Sequence, residues 1–143
     1  AIHHTLGHDP VATANYCTKP TAQGGKGHAT TQYHIWITKE GKALLCVPLT
    51  EGLWHDHTGD RNTHISIGLA GSLHKDKPPQ AQLDKAAEVV AYLMHLYKIA
   101  LANVAGHNDW AWKAAKVKTT CPGWDVAGWR AEFYAALDKA LGK

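Results

Sequence analysis

Residues 33–49 read YHIWITKEGKALLCVPL. Two β-rich runs flank KEGK, where Gly41 can take the positive φ that a tight turn wants. The stretch therefore reads as a hairpin, and the fold contains a sheet. Working outward, AIHHT at the start reads as a strand end, and HISIGLAGSL (64–73) as a further strand apolar enough to be central. KDKPPQ (75–80) breaks the chain, and Pro78 and Pro79 lead into a helix. From Gln80 to Leu101 the apolar positions Leu83, Ala86, Val90, Leu93, Tyr97 and Ala100 recur every three or four residues, one face of a helix packed on a sheet. NVAGHNDW (103–110) reads as a short strand running into a loop. After CPG (121–123), Asp125 is placed to cap a last helix whose inner face is Val126, Trp129, Phe133, Leu137 and Leu141. Residues 7–32 are rich in Gly, Thr and Pro and read as mostly loop, with one short helix.

The strands precede and interrupt the helices rather than alternating with them. The expected class is α/β, a single domain over residues 1–143 with a mixed central sheet and helices packed on it. A chain of 143 residues with 45% hydrophobic and 19% charged residues has the composition of a globular domain. No apolar run approaches the length of a membrane span, so no membrane insertion is expected. No secretory signal is visible at the start, and no initiator Met. The net charge of +3 favours an anionic partner such as a cell wall, but it is too weak and scattered to argue for nucleic acid.

Histidines number 11 and cysteines three: Cys17, Cys46 and Cys121. An odd thiol leaves at least one outside any internal disulfide, and a metal is one use for it. Cys46, inside ALLCVPL, reads as a small buried hydrophobe. Four stretches put metal-competent or polar residues at strand ends or in the following loops: IHHT (2–5), YHIWI (33–37), GHNDW (106–110) and KTTCPGW (118–124). Imidazole and thiolate are preferred zinc ligands, and the candidates are one His of IHHT, His107 and Cys121. They are too far apart in sequence for a local finger, so the fold itself must gather them. Three protein ligands leave a fourth tetrahedral position for water, the catalytic arrangement. Two neutral imidazoles and one thiolate leave the ion a net positive charge, which preserves its Lewis acidity.

These same stretches, in this order, together with QYHIWITKEGK (32–42) and NTHISIGLAG (62–71), resemble the zinc-dependent N-acetylmuramoyl-L-alanine amidases of the type 2 family. That family includes phage amidase endolysins and peptidoglycan recognition proteins. The resemblance implies one zinc per chain, with ligands falling on His3, His107 and Cys121, and an active-site tyrosine falling on Tyr33. His4, next in the strand, is expected on the opposite face, His8 in the following loop as a polar surface residue, and His34 as a buried hydrogen-bonded residue. With an ordinary pKa near 10, Tyr33 suits a hydrogen-bond donor better than a base. Some family members carry lysine two residues before the metal Cys and others threonine; here Thr119 stands there, and Lys118 is one residue too early.

The loop WHDHTGDRN (54–62) matches a family loop that places a His near the groove; His55 and His57 compete for that role, with Asn62 a further substrate-binding candidate. The separation from His107 to Cys121 is longer than in compact members, and Trp110 and Trp112 within it either form a lip or pack. The first helix of many members is not obvious. The implied reaction is hydrolysis of the amide between the N-acetylmuramic acid lactyl group and L-alanine, by a monomer acting on the cell wall. The reading from another class is a non-catalytic peptidoglycan-binding receptor on the same fold. A nuclease is disfavoured by the weak charge and the thiol. An amidase acting on soluble wall fragments is expected to carry a carboxylate where Cys121 stands.

Overall fold

The computed structural model describes residues 1–28, 30–53, 64–74, 76–109, 118–124 and 128–143. Its elements are β1 (Ile2–His4), α1 (Pro10–Thr18), β2 (Ile35–Ile37), β3 (Ala43–Leu45), β4 (Ile67–Leu69), α2 (Gln80–Tyr97) and α3 (Gly128–Ala140), with 3₁₀ turns at Thr21–Gln23 and Leu101–Asn103. The sheet runs β1-β4-β2-β3. β4 pairs parallel with both β1 and β2, and β3 pairs antiparallel with β2. This is the expected mixed sheet, with the 64–73 strand at its centre.

The hairpin forms where KEGK dictates: Gly41 has φ 79°, and Thr38 and Gly41 close the turn through Thr38 N–H to Lys42 O (2.9 Å) and Gly41 N–H to Thr38 O (3.1 Å). Register then sorts the side chains. Ile2, Ile67 and Ile35 are aligned across the three parallel strands, as are His4, Leu69 and Ile37. This face carries the core with α2 and α3, through Leu83, Ala86, Val90, Leu93, Trp129, Phe133 and Leu137. His3, Gly68 and Trp36 are aligned on the other face. Gln82 is an unexpected polar member of the buried face of α2. Its amide donates to Ile37 O (2.9 Å) and Ala70 O (3.1 Å), pinning the start of α2 to the ends of β2 and β4.

Several boundaries depart from expectation. α2 stops at Tyr97, not Leu101, because Lys98 turns left-handed (φ 56°) and its N–H bonds back to Met94 O. Among the described residues 103–109, one parallel bridge joins Gly106 to Ile2, and 107–109 are helical. Cys46 is exposed, not buried, because it follows an edge strand whose three residues are all exposed. α1 is a real helix, capped by Asp9, whose carboxylate accepts from Val11 N–H at 2.8 Å. Cys17 is its one buried residue, so it has no apolar stripe to announce it. The last helix buries Trp129, Phe133 and Leu137 as expected, while the proposed cap Asp125 and Val126 lie outside the described residues. No helix among the described residues is long and apolar enough to cross a membrane.

His34 is buried and fixed at both ring nitrogens: Nε2 donates to Glu51 O at 2.8 Å, and Nδ1 accepts from Ser66 N–H at 3.0 Å. Both bonds suit the neutral ring, and burial holds its pKa below the ordinary 6.5. Below that value the unfolded chain takes up a proton that the folded chain resists, so stability falls as pH falls. The metal-free protein is expected to lose thermal stability between pH 7 and pH 5. His34→Gln should lower the midpoint at pH 7 and flatten that slope in part, since buried His4, whose pKa is also lowered, keeps its own share; circular dichroism melts read both, and a wholly unchanged slope would show that His34 does not contribute to it.

Candidate metal centre

Three segments converge at the β1 edge of the sheet. β1 carries His3 into the site on the face away from the α2 core, while His4 turns to the core side and accepts from Leu73 N–H at Nδ1 (3.2 Å). Burial, then His74 and His107, hold the pKa of His4 down to about 4, so its ring is neutral. The segment after α2 comes alongside β1 through Ile2 N–H to Ala105 O (2.9 Å) and presents His107. Gly106 is required there by close approach. A Cβ on it would lie 2.7 Å from Trp129 Cζ2 and 2.9 Å from Pro122 Cδ. Asp109 braces this turn, accepting from Gly106 N–H (3.0 Å) while pairing with Arg130 of α3.

The third segment brings Cys121. Its carbonyl accepts from Asn108 N–H at 2.8 Å, its amide donates to Thr119 Oγ1 at 3.2 Å, and its sulfur accepts from His4 N–H at 3.4 Å. Gly123 closes the turn at φ 103°, where a Cβ would fall 2.4 Å from Leu73 O.

One nitrogen each of His3 and His107 and the sulfur of Cys121 all lie within 4.8 Å of one another. His3 Nδ1 is 3.7 Å from the sulfur, and the His3 and His107 rings are 4.6 Å apart. Ligands bound to one zinc in a tetrahedron are about 3.4–3.8 Å apart, given the usual Zn–N and Zn–S bond lengths. The His3–Cys121 pair already has that spacing, and the donor types are those zinc prefers. Burial pushes the Cys121 thiol up to about 12, against the opposing pull of the His4 amide. A sulfur so reluctant to ionise alone becomes a thiolate when it coordinates a cation. The residues present fit a zinc ion.

Tyr33 lies beside this group. Its ring is 5.7 Å from that of His3 and 6.1 Å from that of Trp36, and its hydroxyl donates to His4 O at 3.3 Å. Burial above all, then the Cys121 and Cys17 sulfurs, raise its pKa well above the ordinary tyrosine value, so the hydroxyl keeps its proton. Thr119 is partly exposed and Lys118 exposed, and the Thr119 oxygen already accepts the Cys121 amide, which leaves its proton to donate outward. His55, His57 and Asn62, and Trp110 and Trp112, lie outside the described residues. All three cysteines are free, so Cys17 and Cys46 do not pair. Sequence reading missed Asp109 and Arg130, whose only signal was a lone charged pair 21 positions apart.

The whole arrangement is similar to solved structures of one fold class, the peptidoglycan amidases and recognition proteins. N-acetylmuramoyl-L-alanine amidase LysC from Clostridium intestinale URNW superposes with a TM-score of 0.73 at 21% identity, over 96% of this chain and 82% of that one. The Ph2119 endolysin from Thermus scotoductus MAT2119 bacteriophage Ph2119 gives 0.72 at 17% identity, over 99% and 82%. Human PGRP-IBETAC, solved in complex with glycosamyl muramyl pentapeptide, gives 0.68 at 15% identity, over 89% and 77%. At these identities the likeness is one of fold. No curated protein matches the chain. The family model of N-acetylmuramoyl-L-alanine amidase (Amidase_2) matches residues 1–124, and the chain belongs to that family of amidases.

The packing of Gly123 against Leu73 makes a prediction about Cys121. In the native protein the exposed Cys46 should react first with a thiol reagent, with buried Cys17 and Cys121 slow. Gly123→Ala, strained by its φ and by Leu73 O, should cost about 1–3 kcal/mol and speed the reaction of Cys121 selectively, read by mass spectrometry of labelled peptides.

Proposed function

We propose that this chain is a zinc-dependent amidase that cleaves the bond between the lactyl group of N-acetylmuramic acid and the L-alanine of the peptidoglycan stem peptide. The observation that carries the reading is the convergence of His3, His107 and Cys121 on one small volume at the sheet edge, in a chain of the amidase family. These three residues would hold one zinc ion, which supplies Lewis acidity to polarise the amide carbonyl and to lower the pKa of water.

The remaining work falls to the chain. Tyr33, protonated and seated over the sheet, turns its one hydroxyl proton from His4 O to the oxyanion that develops as the amide carbon becomes tetrahedral. Thr119, on the Cys121 loop, orients the nucleophilic water or the oxyanion with its hydroxyl, but it brings no charge. The sheet and the Asp109–Arg130 brace keep these groups in register, so that orientation is set before substrate arrives. The mildly basic chain suits an anionic wall polymer, and action on the cell wall follows from the substrate.

Incubation with purified peptidoglycan should release new N-terminal alanine, and a chelator should abolish that release. Binding without release would support instead a receptor on this fold. Cys121→Ser, which replaces a thiolate by a neutral hydroxyl, should weaken zinc binding beyond the roughly 10–100-fold loss typical of supporting residues, measured by chelator competition. Full zinc occupancy in that variant would remove Cys121 from the ligand set. Tyr33→Phe should keep its zinc and lose on the order of 10²-fold in kcat.

A further inference from the structure

Gly68 stands at the middle of β4, the central strand, with no positive φ and no turn to explain it. Glycine there weakens a strand, since it adds backbone freedom and packs nothing. Its neighbours supply the reason. Gly68 is aligned with His3 of β1 on one side and Trp36 of β2 on the other, so its missing side chain belongs to the face that carries the metal centre. A Cβ at this position would lie 2.7 Å from Thr5 Cγ2, 2.8 Å from Tyr33 Cγ and 3.0 Å from Tyr33 Cδ1. Carbon atoms in good contact are about 3.5–4.0 Å apart. The Tyr33 ring therefore lies directly on the bare backbone of Gly68.

The path of that ring explains why the contact matters. Tyr33 precedes β2, yet its hydroxyl reaches His4 O on β1, with β4 between them. The side chain has to cross β4 to get there, and it crosses at residue 68. We infer that Gly68 is a positioning residue for Tyr33: its lack of a side chain lets the ring cross the central strand against the bare backbone and bring its hydroxyl beside the His3, His107 and Cys121 cluster. Any larger residue lifts the ring from the sheet and withdraws the hydroxyl from the reacting carbonyl. The catalytic consequence rests on the role given to Tyr33 under the proposed function, whereas the placement of the ring does not.

The test uses Gly68→Ala, Tyr33→Phe, the pair together, and Gly68→Ala combined with Thr5→Ser. The last removes Thr5 Cγ2, one of the clashing atoms, while keeping the hydroxyl that donates to Gly7 O and accepts from Gly71 N–H. Two readouts apply. The aromatic NMR resonances of Tyr33, assigned by their loss in Tyr33→Phe, report its seat between the His3 and Trp36 rings. Steady-state kinetics on peptidoglycan, with zinc content checked by chelator competition, report function. Gly68→Ala should shift the Tyr33 resonances and lower kcat by about 10- to 100-fold, as an ångström-scale misplacement does, with KM and zinc affinity little changed. In the Tyr33→Phe background the same change should cost almost nothing further, and Thr5→Ser should restore part of the lost kcat and of the resonance position. Unmoved Tyr33 resonances, or full activity of Gly68→Ala beside an impaired Tyr33→Phe, would overturn the inference. Full activity of Tyr33→Phe itself would overturn the role of Tyr33, while the resonances still decide whether Gly68 seats the ring.

Discussion

The amide of His4 donates to the sulfur of Cys121 at 3.4 Å, across 117 positions of sequence. Around this bond the rest of the centre is arranged. Ile2 N–H reaches Ala105 O, and Asn108 N–H reaches Cys121 O, so that main-chain bonds also tie the strand, the His107 turn and the Cys121 loop. Main-chain bonds fix direction as well as distance, and they leave the side chains of His3, His107 and Cys121 to converge from three sides. Cys121 is buried among these joints, where desolvation raises the pKa of its thiol.

Two features of the packing keep the convergence from relaxing. Glycines at 106, 68 and 123 let backbone or aromatic surfaces approach where a Cβ would collide. Polar side chains then lock the joints: Gln82 bonds the ends of β2 and β4, His34 bridges Glu51 and Ser66, and Asp109 ties the His107 turn to Arg130. Gln82 and His34 are buried, and such groups carry a high cost if a partner is removed. They give the sheet edge the rigidity that a preorganised site needs.

The two faces of the sheet divide the labour. Ile2, Ile35, Ile37, Ile67 and Leu69 join the core beneath α2 and α3, while His3, Gly68 and Trp36 face away from it. Adjacent histidines at 3 and 4 therefore have different fates. One joins the metal-competent cluster. The other is held neutral between Leu73 N–H and the ring of His74, 4.2 Å away. The strand's period of two makes that division unavoidable.

Much of this was legible in the amino-acid order. The hairpin at 33–49, the central strand, the amphipathic α2 and the buried stripe of the last helix follow from periodicity and turn chemistry, which are local properties. The residue types of the candidate cluster were legible too, because imidazole and thiolate are donors that zinc prefers. Other features were not. α1 lacked an apolar stripe, α2 ended where Lys98 adopted a left-handed backbone, and Cys46 was exposed because β3 is an edge strand. The braces at Asp109, Arg130 and Gln82, and the need for glycine at 68, depend on neighbours distant in sequence. Local sequence determines which way a side chain points from its own strand or helix. Only the tertiary structure decides what it meets there, because contacts across the sheet join residues whose separation along the chain carries no trace of their proximity.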